Sequence, residues 1–436
     1  MSEILTNPLE LFSKPPLQTS IAKGSWLEVR PTNALDGDNS IDFEISGGGT
    51  EYFDVANTFL KAKIRVLTPN GDAGYQNNVF VAPVNNILHS MFSKVDVMLN
   101  GKTVCSSDYH YAHRAYVETL LNFGTDTKKG ELTASFWHED TAANFDLLTD
   151  ENVGFTTRSR LGELGANISL MGKVHADFFN QSRILVDGVD MHIKLTRSPA
   201  AFCLMRSDAE VDGGAPPNFK IKIDSISLYV RKITPSHTCR LGIIAGLKLA
   251  AIKYPIKRVE MRTFSISNQS TSWTQENILL GQLPRRVLFF FVRTDAVHGN
   301  YALNPMHLQH FDINFFSLYV DGQQHPSTAL QPDFGDTLDY ARTFMQMQSA
   351  VGSAFRDNDC GLTYKAFGSG STVFVFDLTA DLSNGFYSEP TRRGGLRAEA
   401  RFANPTPHAV TCFVHAEYDN CIEINQDRSI SLDYLI

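Results

Sequence analysis

The sequence predicts an all-β protein made of two tandem domains of the same kind. Three observations carry that prediction. The chain has 436 residues, too long for one ordinary domain and suited to two of about 200 each. Short apolar runs, divided by Gly, Pro, Asn and Asp clusters, continue along its whole length. A strand, a tight turn and a Tyr-Ala-Arg helix occur once in each half. Hydrophobic residues make up 43% of the chain, enough to fill a core in both halves.

The elements follow in order. Gly47-Gly48-Gly49 reads as a flexible turn before a strand at Tyr52. In Lys94–Leu99, Val95, Val97 and Leu99 alternate with Lys94, Asp96 and Met98, and Asn100-Gly101 supplies a turn that tolerates positive φ. Arg183–Arg197 predicts a hairpin: Ile184-Leu185-Val186, a turn at Asp187-Gly188, then alternating Val189, Met191, Ile193 and Leu195. In Phe219–Val230 the apolar phase slips by one residue, from Phe219, Ile221 and Ile223 to Ile226, Leu228 and Val230. A β-bulge inside one long strand leaves that signature. In the second half, Arg286–Thr294 carries an unbroken apolar run that suits a strand buried on both faces. Phe315–Val320 ends in Asp321-Gly322, and Ser371–Leu378, Leu396–Phe402 and Val410–Ile424 complete the set.

Two segments predict helices. Asp108–Asn122 has Tyr109, Ala112, Tyr116 and Leu120 near helical spacing, with Asp108 as N-cap. Ser236–Ala251 is rich in Ala, Leu and Ile and sits between Pro235 and Pro255, where a linker between two domains would fall. The repeated unit runs from Val95 to Gly101 and then Tyr111-Ala112-His113-Arg114; its echo runs from Phe316 to Gly322 and then Tyr340-Ala341-Arg342. Packing two sheets face to face is how many short strands hide their edges. The predicted architecture is two tandem eight-stranded jelly rolls with short helices in the loops and linker: an N-terminal arm over 1–24, a first jelly roll over 25–235, a helical linker over 236–254 and a second jelly roll over 255–436.

Composition bounds the function. Charged residues are only 20% of the chain, with 30 Phe and 14 Tyr, below the usual share of about 25%. Much of the surface is therefore expected to lie against other protein subunits. The net charge is −8 and the pI about 5.9, which argues against a phosphate-gripping face. Lys128–Lys129, Arg285–Arg286 and Arg392–Arg393 read as solvated loop ends. The six cysteines form no CxxC pair and read as free thiols of a reducing compartment. The first residues lack the order of a secretory signal. The most apolar run, Ile243–Ile252, is interrupted by Lys248 and is half of the ~20 residues a membrane span needs. A soluble protein made in cytosol or nucleus is expected.

No motif carries chemistry. Gly101-Lys102-Thr103 lacks the upstream glycine of a phosphate loop, since position 96 is Asp96, and reads as a hairpin turn. His110 and His113 have no third partner at metal-ligand spacing and read as helix-surface or interface histidines. Cys412 and Cys421 read as buried free thiols, Gly368–Ser371 departs from the nucleophile elbow, and the acidic run Asp146–Glu151 reads as a solvated loop. No catalytic, cofactor-binding or metal-ligating residue is assigned, and no cofactor is expected.

Several stretches nevertheless resemble one family. They are Ile45–Asp54 (ISGGGTEYFD), Pro83–Phe92 (PVNNILHSMF), Val97–Gly101 (VMLNG), Arg114–Leu121 (RAYVETLL), Lys253–Glu260 (KYPIKRVE) and Ala416–Asn420 (AEYDN). In order and spacing they resemble the hexon-type major capsid proteins of Polinton-like and adintovirus-like DNA viruses, from about Ile41 to Ile430. The resemblance implies a double jelly-roll, non-enzymatic subunit of an icosahedral virion, made in the host cytoplasm and assembled in nucleus or cytoplasm. It implies a homotrimer acting as a pseudo-hexagonal capsomer, beside neighbouring capsomers, pentons and minor capsid proteins. It implies no sequence-specific nucleic-acid contact and no membrane span. The alternatives weighed are a jelly-roll carbohydrate- or receptor-binding module, a penton or minor capsid protein, and an enzyme that would need two carboxylates across a groove. The arm over Met1–Gly24, with its prolines and apolar Leu9, Leu11, Phe12 and Leu17, is expected to pack under a neighbour or onto a minor protein.

Overall fold

The computed structural model describes residues 17–35, 40–68, 81–207, 218–335, 337–356, 359–380, 382, 388 and 390–434. The first half contributes β1 (Ile21–Val29), β2 (Ile41–Ile45), β3 (Tyr52–Leu67), β4 (Phe92–Leu99), β5 (Lys102–Ser106), β6 (Ile168–Lys173), β7 (Met191–Arg197) and β8 (Lys220–Pro235). They form two antiparallel sheets, in the orders β1-β8-β3-β6 and β2-β7-β4-β5. The second half contributes β9 (Ile252–Ile266), β10 (Ser272–Gln275), β11 (Arg286–Arg293), β12 (Ile313–Val320), β13 (Gln323–Leu330), β14 (Phe374–Asp377), β15 (Arg393–Phe402) and β16 (Val410–Ile424). Their orders are β9-β16-β11-β14 and β10-β15-β12-β13. Adding eight to every strand of the first half gives the second: each half is a complete jelly roll. Short accessory strands at Leu280–Gln282 and Ile430–Leu432 extend the second barrel, and Val81–Pro83 pairs with Leu204–Arg206.

The hairpin turns repeat as well. Asn100 and Gly101, and Asp321 and Gly322, all have positive φ, as a two-residue turn matched to strand twist requires. Asn100 donates its backbone N–H to the Asp190 carbonyl and accepts the Asp190 N–H on its side-chain oxygen at 2.7 Å. Asp321 does the same with Gly395, at 2.8 Å. Each hairpin leads to a helix, α1 (Tyr111–Asn122) in the first barrel and α4 (Ala341–Val351) in the second. Between them in sequence lie α2 (Val153–Leu161) and α3 (His237–Leu247), the latter within the predicted linker.

The phase slip in β8 is a bulge. The register against β3 jumps between Ile223 and Ser225, so Asp224 is the extra residue and Ile221, Ile223, Ile226 and Leu228 all stay buried. The apolar run of β11 also has its reason. Val287, Phe289 and Phe291 fill the second barrel, while Leu288, Phe290 and Val292 join the core shared with the first.

Several expectations need correction. Arg183–Arg197 is not a hairpin: Leu185 bridges Phe53 and only Met191–Arg197 is a strand, paired with β2 and β4. Leu185 and Val186 are buried beneath other segments, so apolarity there does not mark a partner strand. Asp108 does not cap α1; its φ is +43°, and His110 occupies that position without a side-chain cap. Lys128, Arg285 and Arg286 are buried rather than solvated. Cys412 is a buried free thiol as expected, but Cys421, nine positions on along β16 and on its opposite face, is only partly buried. β1 opens at Ile21 against β8, and β9 at Ile252 against β16. The arm's residues 1–16 lie outside the described residues.

Candidate functional site: the seam between the barrels

Helix α1 delivers its polar side chains into the seam. Arg114, 1% exposed, pairs with Glu118 one turn on at 2.7 Å and with Asp177 at 2.5 Å. Asp177 also accepts the backbone N–H of Val259 on β9 at 3.3 Å, so one carboxylate ties both barrels. Glu118 accepts from His175 at 2.7 Å and faces His415 of β16 at 3.9 Å, an ion-pair distance rather than a hydrogen bond. One guanidinium is thus shared by two carboxylates. Burial opposes the charge on Glu118, but Arg114, His175 and His415 hold its carboxyl well below the ordinary range. Burial raises the Asp177 carboxyl despite Arg114, because that cation is already divided.

Apolar and backbone contacts extend the seam. His113 stacks on Phe413 of the second barrel at 4.3 Å between centroids and lies 3.2 Å from the Pro305 carbonyl. Burial pushes its imidazole down to about 3. Tyr254 on β9 donates to the Ile184 carbonyl and accepts from Val186 N–H, both at 3.1 Å. Asn100 donates its amide to Arg428 O at 2.9 Å, and Lys102 to Ile430 O at 3.1 Å. Lys128 donates to the carbonyls of Leu120 and Cys360, both at 2.9 Å. A second knot surrounds Asp140, which takes Arg158 at 2.6 Å, both side chains fully buried, and Asn304 of the other half at 2.9 Å. Asp146, read as part of a solvated loop, binds His307 at 2.7 Å and the backbone of Asn304 at 2.7 Å. The paired charges of Arg114, Glu118, Asp177, Arg158 and Asp140 hold the barrels side by side.

A cleft of about 640 Å³ opens along the seam, lined by Glu118, His175, Lys257, Arg286, Glu417 and Asp419 among others. Burial opposes ionisation of Glu417, yet Arg286, His415 and Lys257 hold it below its ordinary value. Both glutamates are therefore held as carboxylates. His110 and His113 do not converge with other ligands, and among the described residues no group of three His, Cys, Asp or Glu is placed to hold a metal ion. Sequence reading missed the seam itself: Arg114, Glu118, Asp177, Val259 and His415 are scattered over 300 positions, and only the Tyr-Ala-Arg echo pointed at one of them.

Two jelly rolls of identical strand order, fixed side by side within one chain, define the class: this is a double jelly-roll protein. No family model matches the chain. A Caenorhabditis elegans protein, uncharacterized protein F54H12.2, is 23% identical over 97% of this chain and 100% of its own. A chain of the Sputnik virophage shares the fold over 99% of this chain and 93% of its own, with a TM-score of 0.63 at 14% identity. The Faustovirus major capsid protein does so over 94% and 92%, at 0.60 and 8% identity. The mavirus major capsid protein does so over 99% and 96%, at 0.58 and 12% identity. At these identities the likeness is one of fold, and it runs from end to end.

Proposed function

We propose that this chain is the major capsid protein of an icosahedral DNA virus or virus-like element, a structural subunit rather than an enzyme. One observation carries the reading: two barrels of the same strand order are joined by a seam that holds buried ion pairs, which makes the pair one tile. The end-to-end fold match to two solved major capsid proteins supports it. So does a low charge fraction. In this reading the chain divides into an arm, two barrels and a helical linker. Three copies give six barrels, a pseudo-hexagonal capsomer that sits in the virion beside neighbouring capsomers, pentons and minor capsid proteins. A closed ring of three uses a head-to-tail interface, for which one subunit must offer two different flanks. The test is mass in solution: a stable trimer of three 48.5 kDa chains is expected. A monomer under all assembly conditions would remove the proposal.

A further inference from the structure

Helix α3, between the barrels, is apolar yet hardly packed. Leu247 is its one buried residue, while Leu241 is 53% and Ile244 37% exposed, and Leu249 just beyond is 89% exposed. An added Cβ on Gly242 or Gly246 would meet nothing within 4 Å. Ile243 and Leu247 turn toward the body; Leu241, Ile244 and Ala245 share the opposite side by their spacing of three and four. From 225 to 259 the sequence holds no Asp or Glu; Arg240 on the helix already pairs with Asp187 of the body at 3.6 Å, while Lys248 sits exposed just beyond the helix. The exposed face is therefore apolar with a basic border.

The chain enters the fold beside this face. Ile21 pairs with Pro235, and the Ser20 carbonyl accepts the N–H of Ser236 at 2.8 Å. Ser236 in turn caps α3 by accepting from Cys239 N–H. Residues 1–16 precede that point by four positions. They carry Ile4, Leu5, Leu9, Leu11 and Phe12 with the acids Glu3 and Glu10. Extended, sixteen residues reach about 50 Å, several times the roughly 16 Å length of the eleven-residue helix. A tether this short gives a local concentration in the millimolar range. A second copy of α3 would bring a basic border against a basic border.

We propose that residues 1–16 of the same chain cover the outward face of α3, their apolar side chains on Leu241, Ile244 and Leu249 and their acids toward Lys248. Hydrogen exchange over 237–250 tests this in the full chain, in a variant lacking residues 1–16, and in the full-length double variant Leu241→Glu with Ile244→Glu. Exchange at least tenfold slower in the full chain than in both variants is expected, with β9–β16 unchanged. Carbodiimide coupling of Glu3 or Glu10 to Lys248 is expected within the single-chain band. Equal exchange in all three proteins overturns the proposal. So does coupling found only between chains, which assigns the face to a second copy. Protection that appears only with phosphatidylserine vesicles also overturns it and assigns the face to a membrane. The double variant keeps the test decisive if the truncated chain does not fold.

Discussion

Arg114 and Asp177 form an ion pair 2.5 Å long, with side chains 1% and 2% exposed, where the two barrels meet. Asp177 also takes the N–H of Val259 from the far barrel, so the pair fixes the relative position of the halves as well as its own charges. Buried ion pairs add little net stability over an apolar substitute, but a broken one is costly.

Arg114→Met therefore strands Glu118 and Asp177 in the seam. The expected loss is about 3–5 kcal/mol, read as a lower denaturant midpoint. Arg114→Lys keeps the charge but not the fork that serves two carboxylates, and falls between. A midpoint within about 1 kcal/mol of the parent for Arg114→Met contradicts the role given to the seam.

Acid unfolding is expected in two phases. His89 and His113 are depressed by burial, so each favours folding fully above an unfolded value near 6.5 and less as pH falls toward the folded value, about 3 for His113. Each contributes a slope of about 1.4 kcal/mol per pH unit in that window. Glu118, held low despite its burial, contributes stability that is present above about 4.5 and lost as pH falls through its folded value. His113→Gln, which can still donate to the Pro305 carbonyl, is expected to flatten the first phase. Denaturant midpoints at pH 7.5, 6, 5 and 4 measure it.

The bulge in β8 holds two phases of side chains on one face. Deleting Asp224 turns Ile221 and Ile223 outward or moves the rest of the strand, at about 3–6 kcal/mol for two large aliphatic residues. Arg65→Ala removes only the partly exposed 2.6 Å pair with Asp224 and is expected to cost less than about 1 kcal/mol. Thermal melts that rank the two the other way would contradict this account.

The two hairpin turns offer a matched pair of substitutions. Asn100→Asp loses the bond to Arg428 O, at about 1 kcal/mol. Asp321→Asn keeps the acceptor that Gly395 uses and is expected to change stability by under about 0.5 kcal/mol. Equal effects would mean that the turn at Asn100 does not fasten the barrels.

Much of the fold was legible because it is written in local alternation. Lys94–Leu99 with Asn100-Gly101, the phase slip at Asp224 and the apolar run of β11 each follow from neighbours in sequence. Arg183–Arg197 misled because Leu185 bridges to Phe53, more than a hundred positions away, and no local period encodes that. The seam was illegible for the same reason. A lone Arg in a helix and a lone Asp far from it look like surface charges until the topology brings them together, and Lys128 looked like a loop end until the Cys360 carbonyl reached it.

At the turn apex, the first barrel has Asn and the second has Asp, a difference of one amide group. Both residues brace their own neighbouring strand alike, but only the amide has a hydrogen left to give to Arg428. That is enough to make the twin turns non-interchangeable. The molecule thereby acquires a left and a right: one turn clasps the other barrel and its twin clasps only its own.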